Sequence, residues 1–324
     1  MTGMAARRRA PDRRSLAVAV ALLSLQPGGG AAANEAVVAI AAAADAVYAV
    51  DAPRAAIVGQ RIEPAAAALA PPRDVVSARE AGPQPVAVAV VDRRLLAAVC
   101  RSGSSWTLET WSLEAGGAAT PLQTLALGAA AGSGAGVSLA ASPTGDWLAI
   151  AGLPPPLEPV LRAAIAGRRL AAPSPRNCPR PASRPTAVAV SPTHELVVFE
   201  PPADGGSVAV AFHGIGGNPL LRLDTGLETV RGAGFDPADG SLFVVGERRE
   251  AAGRTAGLWR LDAALAAGRQ SIRPVLVAPL TSPLAMAVVA GGTVAVAHGT
   301  DGRTLELVRT APASAPTSPG DRSP

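Results

Sequence analysis

Lysine is absent from this 324-residue chain, and aromatic residues make up only 3% of it. All 29 basic residues are therefore arginines. A nucleic-acid-binding surface needs a basic face and usually aromatic side chains on which bases stack, so the scarcity of aromatic residues argues against that class. Hydrophobic residues still account for 48% of the chain. A large core can form, but it must be built from many small groups, mainly alanine and valine.

A long hydrophobic run is also missing at the start of the chain. The apolar stretch at residues 15–25 is too short for a membrane-spanning helix, which needs about 20 residues. It follows a front of five arginines that ends at Arg13-Arg14, and the small residues 31–33 come after it. This order is typical of a secretory signal peptide. We predict that residues 1–33 are such a peptide, of twin-arginine or Sec type, with an uncleaved basic tail as the alternative.

Removal of this segment would change the charge of the protein. Five of the 29 basic residues and one of the 25 acidic residues precede Asn34, which leaves 24 of each. A net charge of zero gives no reason to expect a nucleic-acid partner. Because of the predicted signal peptide, we expect an exported protein that is periplasmic or extracellular. We also expect it to be monomeric, with no nucleic-acid partner and no transmembrane segment after cleavage.

The clearest motif is VSLAASPTGDWLAIAG, at residues 137–152. Two short apolar runs flank SPTGD. In this segment Pro143 fixes φ at the first corner of a turn, and Gly145 relieves steric strain in the second half of the turn. The pattern predicts a strand, a tight turn and a second strand. Looser copies of this hairpin occur at residues 36–51, 86–100, 186–200, 232–247 and 284–299.

The six copies recur at a nearly constant interval. The first large residues after the turns are Val47, Leu95, Trp147, Leu196, Leu242 and Val294. They follow one another at steps of 48, 52, 49, 46 and 52 residues. A period near 50 built from strands is typical of four-stranded propeller blades. Further apolar pairs predict outer strands at residues 106–114 with 122–128, 207–213 with 220–226, and 257–262 with 274–278.

The turn sequences SPTGDWLAIAG, SPTHELVVFE and FDPADGSLFVVGE resemble those of bacterial WD-repeat-like, YVTN-type and TolB-type β-propellers. The resemblance covers about residues 36–309. It implies an all-β propeller of about six four-stranded blades within residues 34–310. Residues 311–324 contain few apolar groups, and we predict that they form a disordered tail. A β-sandwich with coincidental spacing is the alternative fold.

Two segments depart from the repeat. Residues 64–85 are rich in alanine and proline, and they form either a loop, a degraded outer strand pair or a seventh blade. Residues 153–185 contain many prolines and predict a short outer hairpin or one to two turns of helix, followed by an irregular crossing.

Candidate chemistry is sparse. The three histidines, His194, His213 and His298, are not spaced as metal ligands in the sequence. The glycine-rich residues 213–218 lack the spacing of a phosphate-binding loop, so we interpret them as a tight turn between outer strands. Asp236 and Asp239 fit turn-capping side chains better than calcium ligands.

No motif for a nucleophilic serine is present. We therefore expect no catalytic residue, no cofactor and no metal ligand, and we assign none. The four tryptophans lie on predicted strands and are interpreted as packing residues between blades, since a core of small residues needs some bulky ones. They are Trp106, Trp111, Trp147 and Trp259.

Two cysteines make one disulfide possible. Cys100 ends a predicted inner strand, and Cys178 lies in the proline-rich crossing. Because an exported protein meets an oxidising compartment, a Cys100–Cys178 bridge is a candidate that would hold the crossing against the second repeat. The alternative for Cys100 is a small buried apolar residue.

The sequence favours a non-enzymatic module that binds a protein or a small ligand at a propeller face, because no catalytic constellation is visible. The resemblance also permits a propeller-fold hydrolase or lactonase with its site at the mouth of the central channel. The two hypotheses differ in whether certain polar loop residues converge on one rim of the channel. These residues are Asp92, Arg93, Asp146, His194, Glu195, Asp236 and His298.

Overall fold

The computed structural model describes residues 23–24 and 37–310, apart from residues 44, 64–67, 78–82, 115–117, 203–205, 252, 262–271, 290, 301 and 303. Every named element in this part is a β-strand. No helix among the described residues has the length and apolarity that a membrane crossing demands. The predicted tail at residues 311–324 lies outside the described residues.

Consecutive strands form six antiparallel sheets, which we number as blades along the chain. Blade 1 contains β2 (Val37–Ala42), β3 (Ala46–Asp51), β4 (Ala56–Glu63), β5 (Ala68–Leu69) and β6 (Arg73–Val76). Blade 2 contains β7 (Gln84–Val91), β8 (Leu95–Ser102), β9 (Ser105–Leu113) and β10 (Ala119–Ala129). Blade 3 contains β11 (Ser138–Ala141), β12 (Trp147–Ala151), β13 (Val160–Ala166) and β14 (Arg169–Leu170).

The second half of the chain repeats this order. Blade 4 contains β15 (Ala187–Val190), β16 (Leu196–Glu200), β17 (Ala209–His213) and β18 (Pro219–Asp224). Blade 5 contains β19 (Thr229–Phe235), β20 (Leu242–Glu250), β21 (Gly253–Leu261) and β22 (Pro274–Pro279). Blade 6 contains β23 (Ala285–Val289), β24 (Thr293–His298) and β25 (Thr304–Arg309), with β1 (Leu23–Ser24) paired to β25.

The blades close into a ring. The first strand of each blade contacts the first strands of both neighbouring blades, and β23 contacts β2 to join the last blade to the first. The described residues therefore form a six-bladed β-propeller, and the predicted fold class is confirmed. All six predicted hairpins form the first two strands of a blade.

Six apolar clusters hold the ring together, one at each junction between neighbouring blades. The second strands supply both sides of these clusters. In β8, for example, Ala97 and Val99 pack towards blade 3, while Leu96 and Ala98 pack towards blade 1. Successive side chains of a strand point to opposite faces, so a strand buried on both faces reads as a continuous apolar run.

The four tryptophans each fill a different junction. Trp111 packs between blades 1 and 2, and Trp106 between blades 2 and 3. Trp147 packs between blades 3 and 4, and Trp259 between blades 4 and 5. The indole N–H groups of Trp106 and Trp259 donate to the carbonyls of Ala130 and Gly246, at 3.0 and 3.2 Å. The predicted packing role is confirmed.

The two segments that departed from the repeat are outer strands. Within residues 64–85, β5 and β6 both pair with β4 and complete blade 1, so the considered seventh blade is wrong. Residues 160–170 form the outer hairpin β13–β14 and not a helix. The rest of that proline-rich segment crosses to blade 4 without a named strand.

The predicted signal peptide lies outside the described residues except for β1. This two-residue strand pairs with the outer edge of β25, Leu23 opposite Leu305 and Ser24 opposite Thr304. Cleavage after residue 33 would remove β1 and leave β25 as the edge of a three-stranded blade 6. Export and cleavage remain predictions.

Gly246 provides a direct test of how tightly blade 5 is packed. A Cβ at this position would lie 2.0 Å from the carbonyl oxygen of Thr229, which is far inside contact distance. Gly246→Ala should therefore push β19 away from β20 and lower the free energy of unfolding by about 1–3 kcal/mol. Thermal and urea unfolding measure this change.

Gly206→Ala is the matched control, because its Cβ would meet only Pro202 at 3.8 Å. We expect that variant to unfold like the unmodified protein. Equal stability of the two variants would contradict the close approach of Gly246 to β19.

Candidate functional site

A cavity of about 600 Å³ lies at the end of the channel where the first strands begin. Blades 1, 2, 4 and 5 supply it with the starts of β2, β7 and β19 and with residues beside β15. The connector from blade 2 to blade 3 and Leu284, which precedes β23, complete the wall. We call this space the mouth cavity. Its volume lies within the range of small-molecule sites.

Most of the wall is small and apolar, and none of the described lining residues is aromatic. The polar lining residues are Gln84, Arg101, Ser133, Thr186, Glu228, Thr229 and Arg231. The mouth cavity is therefore mostly apolar with a few polar groups, which is the usual composition of a ligand site.

Three β-bulges shape this cavity. The register between the first and second strands skips Val38 in blade 1, Val86 in blade 2 and Arg231 in blade 5. A bulge leaves one residue unpaired and redirects its side chain. All three unpaired residues line the mouth cavity. Arg231 thus occupies, in blade 5, the position that carries valine in blades 1 and 2.

Glu228 is the only carboxylate that the described part of the chain contributes to the cavity wall. Its Oε1 accepts hydrogen bonds from Nη2 of Arg249 at 2.7 Å and from Nη2 of Arg254 at 2.8 Å. The hydrogen bond from Arg254 is the main reason that the pKa of Glu228 lies below its usual value. Glu228 is therefore ionised at neutral pH, with two arginines of its own blade as counter-ions.

Two buried polar atoms belong to residues of this wall and have no hydrogen-bond partner among the described residues. They are Oε2 of Glu228 and Oγ1 of Thr186. A buried polar atom without a partner is unfavourable. Both atoms would gain stability from a polar ligand or water molecule that reached them.

Two arginines also hold the connector between blades 2 and 3, which lines part of the cavity. Nε and Nη2 of Arg184 donate to the carbonyls of Gly152 and Ala135, at 2.6 and 3.0 Å. Nη1 of Arg101 donates to the carbonyl of Gly132 at 2.6 Å. The segment between blades 2 and 3 is thereby held against the mouth without a regular strand of its own.

The polar loop residues singled out from the sequence do not line the mouth cavity. Six of them lie in the turns between first and second strands, at the opposite end of the channel, which we call the turn rim. These are Asp92, Arg93, Asp146, His194, Glu195 and Asp236. Six of the seven residues therefore share one end of the channel, which is not the end that holds the mouth cavity.

The carboxylates of the turn rim stabilise their own turns. Asp146 accepts from the hydroxyls of Ser142 and Thr144 at 2.5 and 2.6 Å, and these bonds lower its pKa. Glu195 accepts from the hydroxyl of Ser191 at 2.8 Å. Asp236 accepts from the backbone N–H of Ala238 at 2.8 Å, as expected for a turn cap. These bonds stabilise the turns in which the three carboxylates lie.

His298 ends β24 and lies in blade 6, outside the cavity wall. Its Nε2 is 3.0 Å from Oε2 of Glu306 on the neighbouring strand. His213 is buried at the end of β17, and both of its ring nitrogens lack a partner among the described residues. Neither of these two histidines is exposed to solvent. The glycine-rich residues after His213 form the predicted tight turn, β17–β18.

A metal centre does not fit the described residues. No group of three or more histidine, cysteine, aspartate or glutamate side chains in this part of the chain could hold a metal ion. The mouth cavity contributes one carboxylate, which two arginines already engage. We derive no metal-dependent step from it.

The two cysteines are free thiols in the structure. Cys100 is fully buried between blades 1 and 2, whereas Cys178 packs against the cluster between blades 3 and 4. The candidate Cys100–Cys178 disulfide is therefore not formed. Cys100 instead fills the small apolar position that was its alternative interpretation.

No protein-family model matches the chain, and no curated protein matches it at a significant level. Solved structures do. The chain shares its fold with bacterial six-bladed β-propeller proteins.

Three of these similar structures are enzymes or suspected enzymes by their names. A putative oxidoreductase (glucose dehydrogenase) from Thermus thermophilus is 17% identical with a TM-score of 0.60, covering 89% of this chain and 99% of that one. A gluconolactonase from Xanthomonas campestris is 15% identical with a TM-score of 0.53, covering 90% of each. A virginiamycin B lyase from Staphylococcus aureus is 9% identical with a TM-score of 0.51, covering 90% and 99%. At these identities the likeness establishes the fold alone.

Sequence reasoning missed the residues that carry the polarity of this cavity. Thr186 and Glu228 each stand directly before the first strand of a blade, and Arg231 lies within such a strand. What distinguishes them in the sequence is a polar residue at a place where other blades carry apolar ones, such as Val137 and Leu284. Aligning the six repeats on their first strands would have singled out Glu228 and Arg231.

The buried His213 predicts a loss of stability in acid. Burial lowers its pKa below the ordinary value of 6.5, although Glu200 opposes this. The unfolded chain therefore binds the proton more readily, and stability present above pH 6.5 is lost as the pH falls towards the folded pKa. His213→Gln should weaken this dependence, as measured by urea unfolding at pH 7.5 and 5.5. His194→Asn, in a turn with positive φ, should leave it in place, and an unchanged dependence in His213→Gln would contradict the prediction.

The free thiols predict slow labelling of the folded protein. Burial raises the pKa of Cys178 to about 11, and it raises that of Cys100 further. The thiolate is the reactive form, so at pH 7.5 Ellman's reagent should label both slowly, Cys178 before Cys100. Two thiols should react after denaturation without reductant, and one in the Cys178→Ser variant. No reactive thiol after denaturation would mean that the bridge forms in solution.

Proposed function

We propose that this propeller binds a small hydroxylated molecule in the mouth cavity and hydrolyses a ring ester, or lactone, of that molecule. The observation that carries the proposal is Glu228, the lone carboxylate among the described residues of a mostly apolar cavity of ligand size. Its buried Oε2 and the hydroxyl oxygen of Thr186 have no hydrogen-bond partner among the described residues. Hydroxyl groups of a ligand would supply these missing hydrogen bonds.

The chemistry of lactone opening suits the pair formed by Glu228 and Arg231. Water attacks the ester carbonyl, the ring C–O bond breaks, and the departing oxygen takes a proton to give a hydroxy acid. An ionised carboxylate can accept a hydrogen bond from the attacking water, and a guanidinium can stabilise the negative charge that develops on the carbonyl oxygen. Because Arg249 and Arg254 hold the pKa of Glu228 low, we expect this activity to persist at mildly acidic pH.

The similar solved structures support this choice of reaction class only as an analogy of fold. Among them are a gluconolactonase, a lyase and a putative glucose dehydrogenase. Fold alone does not fix activity. The proposal for this chain rests on the cavity and its polar groups.

The second candidate is ligand binding without turnover, as the sequence alone favoured. The observation in its favour is that the described cavity wall holds one carboxylate and no histidine, so the paired acid and base of many hydrolases are missing from it. The two candidates share the site and differ in whether the bound molecule is altered.

Hydrolysis of glucono-1,5-lactone, followed by a pH indicator with the spontaneous rate subtracted, separates them. The purified protein should accelerate ring opening, and Glu228→Gln should reduce kcat/KM at least about tenfold, since the carboxylate is removed without loss of volume. The neutral amide retains hydrogen bonds to the exposed arginines, and so the variant should stay folded.

Glu114→Gln is the matched control, because Glu114 is exposed just beyond the end of β9, on the side of the turn rim. It should hydrolyse the lactone like the unmodified protein. Binding of the lactone without acceleration would support the second candidate. Equal rates for Glu228→Gln and the unmodified protein would remove Glu228 from the proposed mechanism.

A further inference from the structure

Two arginines of the mouth cavity lie on opposite sides of the channel. Arg101 is near the end of β8 in blade 2, and Arg231 is in β19 of blade 5. In a closed ring of six blades, blades 2 and 5 face each other. Both residues line the same cavity of about 600 Å³. A molecule that fills this space therefore meets a guanidinium on each of two opposing walls.

Neither guanidinium has a carboxylate partner among the described residues. Arg101 donates to a backbone carbonyl, that of Gly132, which does not neutralise its charge. Arg231 is exposed and forms no ion pair with the described part of the chain. The other charged lining residue, Glu228, is already bonded to Arg249 and Arg254. The mouth is thus cationic on both walls even though it contains a carboxylate.

The position of Arg231 shows that this charge is specific to one blade. Val38, Val86 and Arg231 are the unpaired residues of equivalent bulges. Valine satisfies the local geometry in two of the three blades, so the bulge by itself does not call for a charged side chain. A bulge redirects the residue it leaves unpaired, and in blade 5 it presents a guanidinium to the cavity.

We propose that the mouth cavity selects a small hydroxylated molecule with two acidic groups, one bound by Arg231 and the other by Arg101. This inference rests on the proposed function for the location of the site, and it adds the charge of the ligand. Guanidinium groups bind carboxylates through paired, charge-assisted hydrogen bonds. The hydroxyl groups between the two acidic ends meet Glu228 and Thr186.

Three six-carbon compounds test the charge with the size held constant: D-glucarate with two carboxylates, D-gluconate with one, and D-glucitol with none. Isothermal titration calorimetry of the purified chain should give the tightest binding for glucarate and the weakest for glucitol. Arg101→Gln and Arg231→Gln should each weaken glucarate binding about tenfold, as the loss of one charged hydrogen-bonding partner requires. The affinity for glucitol, which has no acidic group, should fall much less than that for glucarate in either variant.

The matched control is Arg94→Gln, because Arg94 is exposed in the turn between β7 and β8, at the opposite end of the channel. It should bind all three compounds like the unmodified protein. Glucarate binding should also weaken as salt is raised from about 0.05 to about 0.5 M, since exposed charges are screened, whereas glucitol binding should not.

Equal affinities for the three compounds would overturn the inference and leave the proposed lactone hydrolysis standing, provided that Glu228→Gln still reduces turnover. A loss of glucarate binding in Arg94→Gln as large as in Arg231→Gln would also overturn it, because the effect would then reflect net charge and not the cavity. Failure of glucarate to bind at all, in a protein that hydrolyses the lactone, refutes the paired-arginine site alone. Failure of both binding and hydrolysis refutes the proposed function as well.

Discussion

The structure depends on the apolar junctions between neighbouring blades. Each second strand is buried on both faces, and it packs into one junction with its odd positions and into the next with its even positions, as β8 does. Most of the buried residues in these junctions are alanine, valine and leucine. One tryptophan fills each of four junctions. The scarcity of aromatic residues is therefore compatible with a large closed ring, which needs only a few bulky groups among many small ones.

Closure of the ring creates the candidate site. The starts of first strands from several blades meet around one channel end and enclose a cavity between them. Bulges in blades 1, 2 and 5 direct their unpaired residues to that cavity, and arginines hold the connector from blade 2 to blade 3 beside it. The site thus combines a rigid scaffold with side chains from distant parts of the sequence, as ligand sites on repeat folds commonly do.

The two ends of the channel differ in what their polar groups do. At the turn rim, the carboxylates of Asp146, Glu195 and Asp236 accept hydrogen bonds that stabilise the hairpin turns. At the mouth, Glu228 keeps a buried oxygen without a partner, and Arg101 and Arg231 keep uncompensated charges among the described residues. This contrast gives the carboxylates of the turn rim a structural role and supports the proposal of a ligand site at the mouth. It also explains why the conspicuous polar turns of the sequence were poor indicators of the site.

The sequence by itself determined the six hairpins, their period, the all-β class and the packing role of the tryptophans, because these features depend on local turn chemistry and on burial of both strand faces. The tertiary structure alone decided that residues 64–85 complete blade 1 and that Cys100 and Cys178 lie in separate junctions as free thiols. It alone placed Arg101 opposite Arg231. Those outcomes depend on how the ring closes, because closure decides which residues far apart in the chain become neighbours. The local pattern of a single repeat does not contain that information.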